Sequence, residues 1–317
     1  YCQAYFEYDT KKSFCITKSH LRFGKKPISS TYYVSSADFI ACHNQTYLTK
    51  YDIIHELKPH GSFLLNCEWQ ESELEQHVPG EILKYIADND IHFYIIDANR
   101  QSQAIGLGNR SNMVLQAAFF KLANIIPVED AVAHMKAAVK KTYGLKGEKI
   151  VNMNLQAVDA GINALVEVKV KPEWTNLTGK ALQPADANLP DVIRNILVPI
   201  NAQKGDELPV SAFKGMEDGT MPLGTSQYEK RGIATHLPVW DAAECLQCNM
   251  CSFVCPHAVI RPFLLSEDEV KAAPAGMTFA DAKGAKVKDY KYTMGVSTLD
   301  CTSCGSCVSS CPKSGKA

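Results

Sequence analysis

Two stretches near the end of the chain decide how that part folds: residues 245–256 read CLQCNMCSFVCP and residues 301–312 read CTSCGSCVSSCP. Both follow the spacing C-x2-C-x2-C-x3-C-P, and together they hold eight of the twelve cysteines. In iron–sulfur proteins with this spacing, three thiolates hold one [4Fe-4S] cluster and the fourth ligates the other cluster. The spacing therefore predicts two [4Fe-4S] clusters with crossed ligation.

Each predicted ligand set combines three cysteines of one stretch with the last cysteine of the other. The sets are Cys245, Cys248, Cys251 and Cys311 for one cluster, and Cys301, Cys304, Cys307 and Cys255 for the other. Zinc fits the spacing poorly, because its four ligands usually come as two separated pairs. Disulfides are disfavoured in a chain of 317 residues, which can bury a core without them. Electrons are therefore predicted to pass through this protein.

Composition and charge narrow the choice of partners. The chain is 46% hydrophobic and 21% charged, which is typical of globular proteins. Its formal net charge of −1 gives no field that would attract nucleic acid or an anionic membrane, and no run of about 18 apolar residues occurs. We therefore expect neither as a partner. The remaining cysteines are predicted to be core or free thiols in a reducing compartment: Cys2, Cys15, Cys42 and Cys67.

Residues 1–175 alternate short apolar runs with helical patterns, which predicts an α/β domain of three layers, α/β/α. Strands are predicted over residues 1–8, 39–42, 62–65 and 91–98. Helices are predicted over residues 81–87, 113–125, 128–143 and 154–168.

Polar side chains follow the predicted strands, where α/β sheets bind ligands. Lys11 and Lys12 follow the first strand, and a G-x-G turn that ends at Asn109 precedes the helix at residue 113. Taken alone, the turn is a glycine-rich connection, because the full dinucleotide fingerprint is missing. Basic and amide groups that converge near a helix N-terminus nevertheless indicate an anionic ligand. The competing interpretation makes the lysines a solvated surface pair beside Asp9.

The rest of the chain divides into an irregular part and a cysteine-rich part. Residues 176–235 are rich in proline, glycine and polar side chains and are predicted to be an irregular connecting domain. Within it, residues 225–232, TSQYEKRG, are interpreted as a solvated surface turn. Residues 236–317 are predicted to form an α+β, two-[4Fe-4S] ferredoxin-like domain, with a surface insertion between the cysteine stretches. A helix is expected over residues 266–273, because Ser-Glu-Asp-Glu suits an N-cap and first turn.

The chain resembles the pyruvate:ferredoxin oxidoreductase family. YDTKKS at residues 8–13, SHLRFG at 19–24, ACHN at 41–44 and AFFKL at 118–122 resemble its gamma-type domain. TSQYEKRG resembles its short Glu-Lys-Arg domain, and the first cysteine stretch with VCPHA at 254–258 resembles its two-cluster ferredoxin domain. Since the chain opens without Met and stops soon after Cys311, we expect it to be the middle of a longer polypeptide.

The resemblance implies conversion of pyruvate and coenzyme A to acetyl-CoA and CO2, with electrons passed through the clusters to ferredoxin or flavodoxin. It also implies thiamine diphosphate, Mg²⁺ and a third [4Fe-4S] cluster in the remaining domains of the same polypeptide, and a homodimer. The expected location is the cytoplasm, or the hydrogenosome of an anaerobic protist. Two alternatives stay open: a relative that reduces NADP or uses another 2-oxoacid, and an electron-transfer subunit without catalysis. The long N-terminal region argues against the second.

The resemblance also suggests where coenzyme A binds. Lys11 and Lys12 match a lysine pair expected to contact its phosphates, and Asn109 and Asn152 are weaker candidates carried over from the family. One departure concerns the residues that follow Lys-Lys-Ser, where the family commonly has two glycines and this chain has Phe14-Cys15. Glycine permits backbone angles that other residues avoid, so the local turn is expected to differ.

Overall fold

The structure is a computed structural model that describes residues 1–8, 16–179 and 187–313. It consists of two compact units, Tyr1–Leu223 and Gly224–Ala317, each with its own core. None of the helices in the described ranges is long and apolar enough to cross a membrane.

The first unit is built on a four-stranded sheet with strand order β3-β4-β5-β6. Strands β3, β4 and β5 are parallel, and β6 pairs antiparallel with β5. The strands of this unit are β1 (Cys2–Tyr8), β2 (Thr17–Phe23), β3 (Ala37–Cys42), β4 (Leu57–Asn66), β5 (His92–Ile96) and β6 (Val166–Glu167). Its α-helices are α1 (Leu74–His77), α2 (Gly80–Asp88), α3 (Ala98–Ile105), α4 (Asn112–Ala123), α5 (Val128–Tyr143), α6 (Glu148–Asn163) and α7 (Val198–Asn201).

Apolar side chains of the sheet point alternately into two cores, which confirms the predicted three-layer fold. Phe63 of β4 lies in one core with Ile82 of α2, while the next residue, Leu64, lies in the other with Val114 of α4. This alternation follows from the two-residue period of a strand. The strand is therefore covered by helices on both faces, as parallel sheets require.

Two strand predictions were incomplete. The first strand lies outside the four-stranded sheet, because β1 pairs with the unpredicted β2 as a separate antiparallel hairpin, from Cys2↔Phe23 to Tyr8↔Thr17. The strand predicted to reach residue 98 ends at Ile96. There Asp97 caps the unpredicted helix α3, and its carboxylate accepts a hydrogen bond from the backbone N–H of Arg100 at 2.9 Å.

The helix predicted over residues 154–168 lies earlier in the chain, as α6. It begins after Gly147, whose φ of 93° breaks the preceding turn. It ends at Asn163, and Val166 then pairs with Ile95 as part of β6. The apolar residues beyond Asn163 therefore belong to a strand, a form that β-branched side chains favour. The helix predicted over residues 128–143 is confirmed as α5.

The second unit is small and is built on a three-stranded antiparallel sheet with order β7-β9-β8. Its strands are β7 (Ile260–Leu265), β8 (Ala280–Asp281) and β9 (Lys291–Val296), and its helices are α8 (Met250–Phe253), α9 (Glu267–Lys271) and α10 (Ser306–Ser309). Helix α9 confirms the helix predicted in the insertion, and Ser266 and Glu269 form its capping box.

Candidate iron–sulfur centre

The two cysteine stretches form loops with the same backbone turns. In the first loop Gln247 and Asn249 have φ angles of 58° and 59°, and in the second the equivalent Ser303 and Gly305 have 58° and 74°. Each loop then continues into a one-turn helix, α8 or α10. Left-handed residues of this kind help to gather backbone N–H groups into concave nests, which occur at many iron–sulfur sites.

Backbone N–H groups already point at the sulfur atoms. The N–H of Gln247 donates to Sγ of Cys245 at 3.3 Å, and that of Ser303 donates to Sγ of Cys301 at 3.5 Å. These two bonds occupy equivalent positions in the loops. Hydrogen bonds to sulfur are one of the means by which a protein sets the potential of a cluster.

Both loops pack against one core in the second unit. Its buried residues are Val259, Ile260, Ala282, Tyr292 and Met294. The cysteines that pack against it are Cys245, Cys251, Cys255, Cys301 and Cys307. Helix α8 also contacts α10. The fold therefore brings the two stretches together, although they are far apart in sequence.

Strand pairing explains why the end of one stretch meets the start of the other. Strand β7 follows the first stretch, β9 precedes the second, and Ile260 pairs with Val296 at the shared end. A further bond from the N–H of Ser297 to the carbonyl of Val259, at 2.9 Å, extends this pairing toward Cys255 and Cys301. This arrangement supports the predicted crossed sets, in which these two cysteines share a cluster. The ligand sets themselves stay a prediction.

The environment of the thiols differs along each loop. Burial raises the pKa of Cys251 and of Cys307, the third cysteine of each stretch. Burial alone would also raise the pKa of Cys304, but hydrogen bonding with Ser306 and Thr302 outweighs it and the net shift is downward. Within the described ranges, no three His, Cys, Asp or Glu side chains converge as the ligands of a single metal ion do.

An aromatic pair lies beside the first loop. Tyr292 donates from its hydroxyl to Oδ1 of Asn249 at 2.6 Å, and burial, followed by the thiolates of the first loop, raises its pKa to about 12. Trp240 packs on Tyr292 with ring centroids 5.9 Å apart. Its buried Nε1–H finds no acceptor among the residues that the structure describes. A buried donor needs a partner, and the sulfur of a cluster would be one. The site therefore fits an iron–sulfur cluster.

The insertion lies against the first loop. Gln247 donates from Nε2 to the carbonyl of Asp281 and accepts from the N–H of Lys283, both at 2.8 Å. The Lys283 ammonium donates to the carbonyl of Cys245 at 2.8 Å. The predicted surface insertion thus supports the position of the first cysteine of the loop. Sequence reasoning missed this role, because these contacts join residues more than thirty positions apart.

The interpretation of residues 225–232 as a solvated surface turn was incomplete, because Lys230 is exposed but residues 230–232 also contact other parts of the second unit. The Lys230 ammonium lies 2.7 Å from the carboxylate of Asp300, and the N–H of Gly232 donates to the carbonyl of Leu299 at 2.8 Å. Nη1 of Arg231 lies 3.5 Å from Nε2 of His257. These partners lie beside the two cysteine stretches and far from residues 230–232 in sequence, so no local pattern marks the contacts.

The residues proposed for coenzyme A lie only partly within the described structure. Lys11 and Lys12 lie outside the described residues, and the strand that precedes them belongs to the β1–β2 hairpin. The argument that placed them at the ligand edge of the parallel sheet was therefore wrong. Asn109 is exposed and accepts a hydrogen bond from Nε2 of Gln103 at 3.2 Å, and Asn152 is exposed on α6.

The glycine turn before Asn109 connects two helices and does not follow a strand. Gly106, with φ of 91°, caps the C-terminus of α3, as left-handed glycines commonly do. At the ends of the parallel strands, the side-chain amide of Asn66 on β4 donates to the carbonyl of His43 and accepts from the N–H of Ala98, both at 2.9 Å. The donor and the acceptor of this amide are thus both used in hydrogen bonds within the fold.

Comparison with protein families covers most of the chain. Residues 1–164 match a family described as pyruvate ferredoxin/flavodoxin oxidoreductase. Residues 179–234 match a domain of unknown function, and residues 241–314 match a 4Fe-4S dicluster domain. The chain therefore carries a 4Fe-4S dicluster domain.

Curated relatives extend the similarity over the whole chain. It is 52% identical over 317 residues to a pyruvate-flavodoxin oxidoreductase of Enterobacter agglomerans and 47% identical to a pyruvate:ferredoxin oxidoreductase of Moorella thermoacetica; each alignment covers 100% of this chain and 27% of the relative. It is 44% identical to a pyruvate dehydrogenase [NADP(+)] of Cryptosporidium parvum, covering 98% of this chain and 17% of the relative. The chain spans about a quarter of the length of the first two relatives.

Among solved structures, the PORC subunit of pyruvate oxidoreductase from Thermotoga maritima gives a TM-score of 0.42 at 15% identity. The alignment covers 53% of this chain and 82% of that subunit.

Proposed function

The chain belongs to the pyruvate ferredoxin/flavodoxin oxidoreductase family, and from this premise we propose that it is the electron-transfer part of an enzyme that oxidises pyruvate. The proposed reaction converts pyruvate and coenzyme A to acetyl-CoA and CO2, and its two electrons leave one at a time. The observation that carries the proposal is the duplicated cysteine loop, with left-handed residues and N–H···S bonds at equivalent positions, inside a 4Fe-4S dicluster domain.

The proposed ligands are the eight cysteines in crossed sets. The first loop, Cys245, Cys248 and Cys251, takes Cys311 as its fourth ligand, and the second loop, Cys301, Cys304 and Cys307, takes Cys255. The clusters supply one-electron transfer. The chain contributes the nests of N–H groups, the buried apolar wall at Tyr292 and Met294, and the strand pairing that brings both loops to one core.

The proposed electron acceptor is ferredoxin or flavodoxin, as the names of the Moorella and Enterobacter relatives suggest. The similarity to the Cryptosporidium protein supports a second candidate, in which NADP is the final acceptor. Thiamine diphosphate, Mg²⁺ and a third [4Fe-4S] cluster are proposed for further domains of the same polypeptide. Assembly as a homodimer and a cytoplasmic or hydrogenosomal location also stay proposals.

Metal analysis of the anaerobically prepared chain tests the cluster proposal. Two [4Fe-4S] clusters require about eight iron and about eight acid-labile sulfide per chain. A finding of zinc, or of about four iron, would overturn it. In the full-length protein, sustained reduction of an electron acceptor should depend on both pyruvate and coenzyme A and should release acetyl-CoA. Sustained acceptor reduction by pyruvate without release of acetyl-CoA would contradict the proposed reaction.

Coenzyme A is proposed to bind through Lys11 and Lys12, with Asn109 and Asn152 as secondary candidates. The support is the resemblance of YDTKKS to the gamma-type domain. Lys11→Ala combined with Lys12→Ala should raise KM for coenzyme A at least tenfold, because charge-assisted hydrogen bonds contribute about 1.5–3 kcal/mol each. The exposed pair Lys25 and Lys26 gives a matched control, and its double alanine variant should leave KM unchanged. An unchanged KM in the first variant would make the pair a solvated surface feature.

A further inference from the structure

The segment Lys230-Arg231-Gly232 contacts two separate parts of the chain, and both lead to cysteines. Lys230 pairs with Asp300, the residue immediately before Cys301, at 2.7 Å. The N–H of Gly232 donates to the carbonyl of Leu299, on the same approach to Cys301. Arg231 lies 3.5 Å from His257, which is two residues after Cys255. The segment therefore borders the first cysteine of the second loop and the last cysteine of the first stretch.

These two cysteines are the ones that crossed ligation assigns to a single cluster. The inference rests on the proposed function, because it takes Cys301, Cys304, Cys307 and Cys255 as one ligand set. A further contact lies downstream, where Ser303 donates from Oγ to the carbonyl of His236 at 3.0 Å and accepts from its N–H at 3.2 Å. The stretch from Lys230 to His236 thus contacts both the second loop and the residues just before it.

The first loop has different neighbours. Its hydrogen-bonded contacts with the rest of the unit include the insertion residues Asp281 and Lys283 and the hydroxyl of Tyr292. The Lys230-Arg231-Gly232 segment lies within residues 179–234, which match a domain of unknown function, and His236 lies just beyond this match. Its Lys and Arg are adjacent in sequence, and each approaches a different ligand-bearing segment.

We propose that the Lys230-Arg231-Gly232 segment positions both ligand-bearing segments of the second cluster and raises the reduction potential of that cluster alone. Reduction adds one electron, hence one negative charge, to the cluster. A nearby cation stabilises the reduced form more than the oxidised form, so the potential rises. Arg231 supplies a charge that does not titrate, and Lys230 offsets the carboxylate of Asp300 next to Cys301. The segment is a positioning element and takes no part in bond making.

The test is a redox titration of anaerobically prepared full-length protein, followed by EPR. The signal lost in Cys304→Ser identifies the second cluster. Lys230→Gln should lower the potential of that signal by about 59 mV, which is a tenfold change in the reduction equilibrium of a one-electron couple. Asp300→Asn removes a negative charge at the same place and should raise it. Arg231→Gln should lower the potential of the second cluster. Arg231→Lys keeps the charge, so the potential should stay near the wild-type value.

The matched control is Lys271→Gln. Lys271 also forms an exposed pair with an aspartate, Asp268, at 2.9 Å, but on α9 of the insertion. This control should leave both potentials unchanged. The inference would be overturned if Lys230→Gln shifted the potentials of both clusters equally, or if the control variant shifted the second potential as much. It would also be overturned if Lys230→Gln and Asp300→Asn shifted that potential in the same direction.

Iron content separates failure of this inference from failure of the proposed function. Variants that hold the wild-type amount of iron but show no shift overturn the inference alone. Wild-type protein without the clusters overturns the proposed function. If Lys230→Gln does not retain its second cluster, the Asp300→Asn variant provides the test. A second-cluster potential that does not rise in Asp300→Asn contradicts the proposed electrostatic effect.

Discussion

The two cysteine loops share a backbone but are supported by different parts of the chain. In the first, Asn249 accepts a hydrogen bond from Tyr292 and Cys245 accepts one from Lys283, so the supports come from the sheet and its insertion. In the second, the supports are the Lys230–Asp300 ion pair and the contacts of Ser303 with His236. The loop geometry follows from local sequence, whereas the environment that can distinguish two clusters comes from distant segments.

The largest effect is expected from removing the fourth ligand of one cluster, which crossed ligation places in the other stretch. Cys311→Ala lies in the second stretch, yet crossed ligation predicts loss or damage of the cluster held by Cys245, Cys248 and Cys251. EPR and iron analysis should show the other cluster intact. Cys2→Ala is the control, since Cys2 is an exposed thiol outside both stretches, and should leave the iron content unchanged. Damage confined to the cluster of the second loop would contradict the ferredoxin-like arrangement.

A substitution at Gly305 tests whether the shared backbone is required. Gly305 has φ of 74°, a left-handed conformation that is strained for β-branched residues. Gly305→Val should destabilise the second unit by about 1–2 kcal/mol, measured as a lower urea midpoint of unfolding. Gly305→Asn should cost less, because Asn already occupies the equivalent position 249 with φ of 59°. Equal destabilisation by Val and Asn would show that the cost arises from side-chain volume and not from the backbone angle.

Sequence patterns predicted the elements whose signal is local. Residues 128–143 have helical periodicity and form α5 at those bounds, and the cysteine spacing identified the two loops. Helix α3 was missed because ANRQSQAI is mostly polar and its start depends on the Asp97 cap. Strand β2, TKSHLRF, was missed because its pairing with β1 leaves most of its side chains partly or fully exposed, so it has little of the apolar pattern of a core strand.

Contacts between distant residues could not be predicted. The Lys230–Asp300 pair joins residues seventy positions apart, and no periodicity marks it. The same limit explains the error at the first strand, where a strand-like pattern gave no information about which sheet it joins. A strand pattern specifies the faces of a strand but not its partner.

The smallest effect is expected at Trp240, beside the first loop. Its buried Nε1–H has no acceptor among the residues that the structure describes, and the ring packs on Tyr292. If a sulfur of the first cluster accepts this bond, Trp240→Phe should lower the potential of that cluster by the equivalent of about 0.5–1.5 kcal/mol and leave the second unchanged. An EPR-monitored redox titration measures the potentials of both clusters.

Trp174 provides the matched control for that variant. Its Nε1–H is satisfied by Glu75 at 2.7 Å, in the first unit. Trp174→Phe should therefore lower the stability of the first unit, because it removes a made bond, without a change in either potential. An unchanged first-cluster potential in Trp240→Phe would assign that indole a packing role only. If the potential falls in the first cluster alone, then the two loops, which have similar backbones, differ in the hydrogen-bond donors that the rest of the chain supplies to them.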